Sequence, residues 1–105
     1  MEHIKHCAVL VNRPEDIWEG TRTALGLAAH NLWAYLYVID VEVEMTEALK
    51  ENLEWLEEME CEYISNHEGN LKNGFKFVPL EKIAAELKKM DLVIPFADRN
   101  KPVTA

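Results

Sequence analysis

The sequence predicts a small doubly wound α/β domain in which helices flank a mainly parallel sheet of about five strands. Two apolar runs, His6–Val11 and Leu32–Asp40, enclose a segment with helical spacing, Pro14–Asn31. Two strands joined by a long helix require a crossover connection, so the strands must be parallel. Both runs lack polar alternation, which is typical of strands covered on both faces. The chain of 105 residues has the size of one domain, so we assign a single domain to residues 1–105.

The first predicted helix begins near Pro14, a residue suited to a first turn, with Asn12 as its predicted cap. Gly20 and Gly26 each weaken this helix by about 1 kcal/mol relative to alanine, unless close packing requires them. Its core stripe has three- and four-residue spacing and comprises Ile17, Thr21, Ala24, Leu25, Ala28 and Leu32.

The second half of the chain continues the alternation of strands and helices. Thr46 caps a second helix, and a third strand at Cys61–Ser65 follows it. Asn66–Gly74 is rich in turn-forming residues, and Phe75–Val78 is a short fourth strand.

The last helix and strand complete the predicted sheet. Pro79 opens the third helix, which leads to a final strand at Asp91–Phe96. Because Pro95 lacks a backbone donor, this strand should end there or lie at a sheet edge. The predicted core residues of the last two helices are Leu49, Leu53, Leu56, Ile83, Leu87 and Met90.

Composition indicates a soluble, cytoplasmic protein. The net charge of −8 argues against nucleic acid or an anionic membrane as the primary partner. The longest apolar run is too short to span a bilayer, and the N-terminal MEHIKHC lacks the pattern of a signal peptide. The two cysteines lie far apart in sequence, which fits a reduced compartment better than a disulfide framework.

A ligand site in such a fold is expected beyond the carboxyl ends of the strands. The polar residues there include the acids Asp40 and Asp98. The candidate ligand-binding residues at these ends are Asn12, Arg13, Ser65, Asn66, His67 and Arg99. His67 beside Glu68 is the most interesting of these, although a loop histidine is more often merely solvated.

Several common chemistries are disfavoured by the sequence. The loop after the first strand, NRPEDIW, contains no glycine, so neither a P-loop nor a GxGxxG turn is present. There is no GxSxG elbow and no nucleophile–base pair at a recognisable spacing. We therefore predict no cofactor and favour a protein that is not an enzyme.

The cysteines and the N-terminal histidines have simpler interpretations than catalysis. Cys7 and Cys61 lie near the starts of strands, where small buried hydrophobes are expected. Thiol chemistry at Cys61, the alternative, would need a lowered pKa, whereas Glu60 and Glu62 beside it would raise the pKa. His3, His6 and Cys7 have no spacing that makes them converge, so we predict no metal site.

The whole chain resembles the DsrE/DsrF-like family, which includes the TusD-type sulfur-relay proteins. The features that carry the resemblance are CAVLVNRPED, the helix TALGLAAHNL running into LWAYLYVID, and the closing IAAELKKMDLVIPF. The resemblance implies a parallel sheet between helices, homo-oligomers that are trimers or hexamers, and sulfur-relay proteins as partners.

One feature of this chain departs from that family. Active members carry a cysteine, which accepts a persulfide, near the end of the third strand or in the following loop. This chain has Ser65, Asn66 and His67 there, and Cys61, the weak catalytic candidate, comes several residues too early. We therefore expect a non-catalytic or regulatory member of sulfur relay. The alternative is a small-ligand- or anion-binding module that uses the carboxyl edge of the sheet.

Two tryptophans predict association. Trp18 and Trp55 flank the core stripes of the first two helices, and a core this small is already filled by other residues. Either they fold over the edge of the core, or they form a contact surface between chains, where Trp is enriched. We expect a homo-oligomer with Trp18 or Trp55 at an interface.

Overall fold

The computed structural model describes residues 5–96, which form a five-stranded parallel sheet in the order β4-β3-β2-β1-β5. Three α-helices flank the sheet, as the sequence predicts. The elements in chain order are β1 (His6–Val11), α1 (Ile17–Ala29), β2 (Trp33–Val38), α2 (Glu47–Glu58), β3 (Glu62–Ser65), β4 (Lys76–Phe77), α3 (Leu80–Leu87) and β5 (Leu92–Phe96).

The two faces of the sheet carry separate cores, because successive side chains of a strand point to opposite faces. On the two-helix face, α1 and α2 pack over aliphatic strand residues such as Val9, Leu36 and Val38. On the one-helix face, α3 packs through Ile83 against a cluster that includes Tyr37. The strands are therefore covered on both faces, but by unequal numbers of helices.

The entry into the first helix differs from the prediction. A 3-10 turn at Pro14–Asp16 precedes α1, and its cap position is Arg13 rather than Asn12. No side chain makes a capping hydrogen bond there, so the fixed φ of Pro14 starts the turn instead. Gly20 is required by close packing, since a Cβ on it would collide with the side chain of Val11.

Helix α2 has the predicted cap, and the loop after β3 contains a further short helix. The Thr46 hydroxyl accepts a hydrogen bond from the Leu49 amide at 3.1 Å, which confirms the predicted cap of α2. Within the predicted loop Asn66–Gly74, a 3-10 helix spans Glu68–Asn73. It ends at Gly74, whose φ of 86° favours glycine.

The last strand lies at an edge of the sheet, as Pro95 predicts. Leu92 and Val93 on this edge strand remain exposed, whereas Phe96 packs against the core of the two-helix face. Among residues 5–96, no helix is long and apolar enough to cross a membrane.

Candidate functional site

The carboxyl ends of all five strands lie in one row. Val11, Val38, Ser65 and Phe77 are paired successively across β1 to β4, and Phe96 pairs with Val11 on the other side. The residues that follow β1, β2 and β3 therefore emerge at the same edge of the sheet. This arrangement places Asn12, Asp40 and Asn66 on neighbouring connections.

Asp40 and Asn66 join two of these connections through a pair of hydrogen bonds. The Asn66 Oδ1 accepts from the Asp40 amide, and the Asn66 Nδ2 donates to the Asp40 Oδ1, both at 2.8 Å. Asp40 has a φ of 63°, in the left-handed region that Asp and Asn tolerate better than most residues. The amide of Asn66 thus holds the turn after β2 in place.

A buried asparagine completes the edge. Asn70, with no exposed surface, accepts from the Val43 amide at 2.7 Å and donates to the Val41 carbonyl at 2.9 Å. Its Nδ2 also donates to the Ser65 hydroxyl at 2.9 Å. A side-chain amide that replaces backbone partners in this way ties the chain after β2 to the 3-10 helix after β3.

Ser65 and His67 serve the same loop. The buried Ser65 hydroxyl also accepts from the His67 amide at 3.0 Å. The His67 Nδ1 accepts from the Gly69 amide at 3.0 Å and caps the 3-10 helix. In the neutral imidazole the proton therefore resides on Nε2.

An acidic residue stands beside this histidine. Glu42 pairs with Lys72 at 2.9 Å, and the hydrogen bond and charge of Lys72 lower the pKa of the Glu42 carboxyl. The Glu42 carboxylate lies directly against Gly69, so a side chain there would displace it. With Asp40 nearby, the edge carries two carboxylates beside its amides and its imidazole.

The remaining candidate residues stand apart from this cluster. Arg13 is held by its own loop, through Asp16 at 2.8 Å and Glu15 at 3.9 Å. Asn12 is exposed. Asp98 and Arg99 lie outside the described residues, as does His3. The structure thus brings together Ser65, Asn66 and His67, three of the six candidate ligand-binding residues.

Both cysteines are buried at the opposite end of the strands. Cys7 is 2% and Cys61 7% exposed. Burial raises the pKa of each thiol, and the charges of Glu60 and Glu62 raise that of Cys61 further. The Cys61 thiol donates to the Met59 carbonyl at 3.7 Å. A buried, protonated thiol is a poor nucleophile, because the thiolate is the reactive form.

Sequence reasoning missed Asn70 and Glu42 as parts of this edge. Asn70 is one of several asparagines in a segment predicted only to form turns, and nothing in the local sequence distinguishes a buried amide from a solvated one.

Within residues 5–96, no group of three or more His, Cys, Asp or Glu residues is arranged to hold a metal ion.

A scan against protein-family models and searches of curated proteins and of solved structures found no match to this chain.

Proposed function

We propose that this chain is a non-catalytic, regulatory subunit of intracellular sulfur relay, of the DsrE-like kind. Its layout of parallel strands between helices agrees with the fold that the resemblance implies. The observation that carries the proposal is the chemistry at the end of β3. Ser65 and Asn66 stand where a carrier cysteine would be expected, and both side chains are engaged in holding the loops together.

The buried thiols support the same interpretation. A carrier must present a thiolate to a donor and then to an acceptor, so it needs an accessible sulfur with a lowered pKa. Cys7 and Cys61 have neither property. The role left for the chain is to bind other components of the relay rather than to carry sulfur.

Persulfide loading tests this proposal directly. The folded protein is incubated with a polysulfide donor and measured by intact mass, with protein unfolded in urea as the positive control. We expect no added sulfur on the folded chain and loading of both cysteines in urea. A persulfide on folded protein that disappears in Cys61→Ser would refute the non-carrier role.

Association as a trimer or hexamer belongs to the same proposal. Trp18 and Trp55 are 40% and 50% exposed, so each leaves a large apolar surface uncovered by the monomer. Exposed tryptophans are typical of contact surfaces. Sedimentation at micromolar concentration should give a multiple of the monomer mass that falls in Trp18→Ala or Trp55→Ala. A monomeric wild type would contradict it.

A second candidate function is small-ligand binding at the carboxyl edge. It is favoured by the row of strand ends that brings Asp40, Ser65, Asn66 and His67 together. A ligand at a hundred times its dissociation constant adds about 2.7 kcal/mol of stability, which thermal denaturation detects readily. Thiosulfate, sulfite and phosphate are suitable probes, with His67→Gln as the test variant and His30→Gln, at an exposed histidine at the end of α1, as the control. The absence of a shift with every probe would count against it.

A further inference from the structure

A groove on the one-helix face has no part in the proposed function. Helix α3 has eight residues, and it packs through Ile83 and Leu87 over only part of that face. Near the end of α3 a cavity of about 280 Å³ opens above the amino-terminal half of the sheet. Its volume lies just below the usual range for small-molecule sites, so it suits a small ligand.

Aromatic side chains make the floor of this groove. Tyr35 and Tyr37 are alternate residues of β2, so both rings lie on this face. The His6 ring stacks on Tyr35 with centroids 5.7 Å apart and an interplanar angle of 27°. The His6 Nδ1 also lies 2.7 Å from the Tyr35 hydroxyl. Tyr37 has no exposed surface, so the half-buried Tyr35 ring and the exposed His6 ring present the surface on which another planar ring can stack.

Charges of both signs surround the aromatic floor. On one side Glu62 and Lys76 form an ion pair at 3.5 Å. On the helix side, one Glu86 oxygen accepts from the Tyr37 hydroxyl at 2.9 Å. The other Glu86 oxygen and the Lys89 ammonium have no hydrogen-bond or ion-pair partner among residues 5–96. The groove therefore offers a carboxylate oxygen and an ammonium group on the same wall.

We propose that this groove binds a small aromatic zwitterion, an α-amino acid with a planar side chain. The ring of the ligand stacks on Tyr35, its carboxylate pairs with Lys89, and its ammonium pairs with Glu86. Glu86 and Lys89 lie three residues apart on one turn of chain, a separation that places side chains side by side. A ligand with a single charge would leave one of these two groups without a partner.

Calorimetric titration with L-phenylalanine tests the proposal, using full-length protein. We expect saturable binding that weakens at least tenfold for phenethylamine and for 3-phenylpropionate, each of which lacks one charge. L-Alanine, which has both charges but no ring, should not bind. No binding of L-phenylalanine at millimolar concentration would overturn the assignment.

Two variants locate the site. Lys89 is exposed, so Lys89→Gln should leave the fold intact. The variant should bind L-phenylalanine about tenfold more weakly. Tyr35→Leu removes the stacking floor and should weaken binding further, whereas Lys88→Gln, the adjacent lysine outside the groove, should bind as wild type. Equal affinity in all three variants would show that the ligand binds elsewhere and would overturn the proposal.

The remaining competitor is a second copy of the chain seated in the groove. In that case, adding L-phenylalanine would leave the wild-type mass unchanged and produce no binding heat, and Tyr35→Asp would lower the oligomer mass. That result overturns this proposal and leaves the non-carrier role untouched. The persulfide test concerns the two thiols, so its outcome is independent of the groove.

Discussion

The two faces of the sheet are built from the same strands but carry different side chains. On the two-helix face, residues such as Val9, Val11 and Leu36 are aliphatic and fully buried. On the one-helix face, β2 presents Tyr35 and Tyr37 instead, with charged residues around them. Two helices can keep a face dry, and a polar group on a dry face needs a hydrogen-bond partner, as Thr21 and Tyr63 have. A short helix leaves part of its face in water, where an amphipathic ring such as that of the half-buried Tyr35 is better suited.

The largest expected effect is the difference in stability between variants at buried and at exposed helix positions. Leu56→Ala on α2 removes a fully buried side chain, so we expect a loss of about 2–5 kcal/mol in the free energy of unfolding. Leu80→Ala on α3 truncates a residue that is half exposed, and it should lose less than about 1 kcal/mol. Urea denaturation measures both.

A third variant identifies the cause of this difference. Ile83→Ala, also on α3 but buried, should lose nearly as much as Leu56→Ala. If Ile83→Ala were as mild as Leu80→Ala, the one-helix face would contribute little to stability, and the comparison of the two cores would fail.

The next effect concerns the carboxyl edge. Asn70→Ala leaves the Val43 amide and the Val41 carbonyl without their side-chain partner inside the protein. Unsatisfied buried groups cost about 1–3 kcal/mol each, so we expect a loss of about 2 kcal/mol or more in urea denaturation. Asn12→Ala, at an exposed candidate position on the same edge, should stay within about 0.5 kcal/mol of wild type. Equal losses would show that the hydrogen bonds of Asn70 to Val41 and Val43 contribute little to stability.

The sequence predicts the sheet better than it predicts the site. The identities of the strands and helices follow from hydrophobic spacing. The helix cap at Thr46 and the edge position of the strand that contains Pro95 follow from the chemistry of single residues. The hydrogen bonds of Asn70 join residues almost thirty positions apart, so no local pattern announces them. The partial cover of the one-helix face is equally hidden, because it depends on how far a short α3 reaches across the sheet.

Alanine substitutions at the two glycines of α1 should change stability by smaller amounts and in opposite directions. A methyl group at Gly20 collides with Val11, so Gly20→Ala should destabilise by about 1–3 kcal/mol through overpacking. A methyl group at Gly26 meets no neighbour within 4 Å, so Gly26→Ala should stabilise by about 0.5–1 kcal/mol through helix propensity. Thermal denaturation of the two variants checks both signs. A loss of stability in Gly26→Ala would indicate that another chain packs on that surface.

The smallest effect appears only at high pH and compares one tyrosine from each face. Burial and a hydrogen-bonded glutamate raise the pKa of Tyr37, whose partner is Glu86, and of Tyr63, whose partner is Glu57. The folded protein therefore holds these phenol protons more tightly than the unfolded chain, which releases them near pH about 10. The stabilisation is complete below that pH and is lost as pH rises above it, by up to about 1.4 kcal/mol per pH unit for each tyrosine.

Tyr37→Phe and Tyr63→Phe test this pH dependence. We expect each variant to lose about 1 kcal/mol of stability at pH 7, because the hydrogen bond is removed. Above about pH 10, the stability of each variant measured in urea should decline less steeply than that of wild type. The double variant should be shallower still. Slopes identical to wild type in both single variants would mean that water reaches both hydroxyls and that the fold raises the pKa of neither tyrosine.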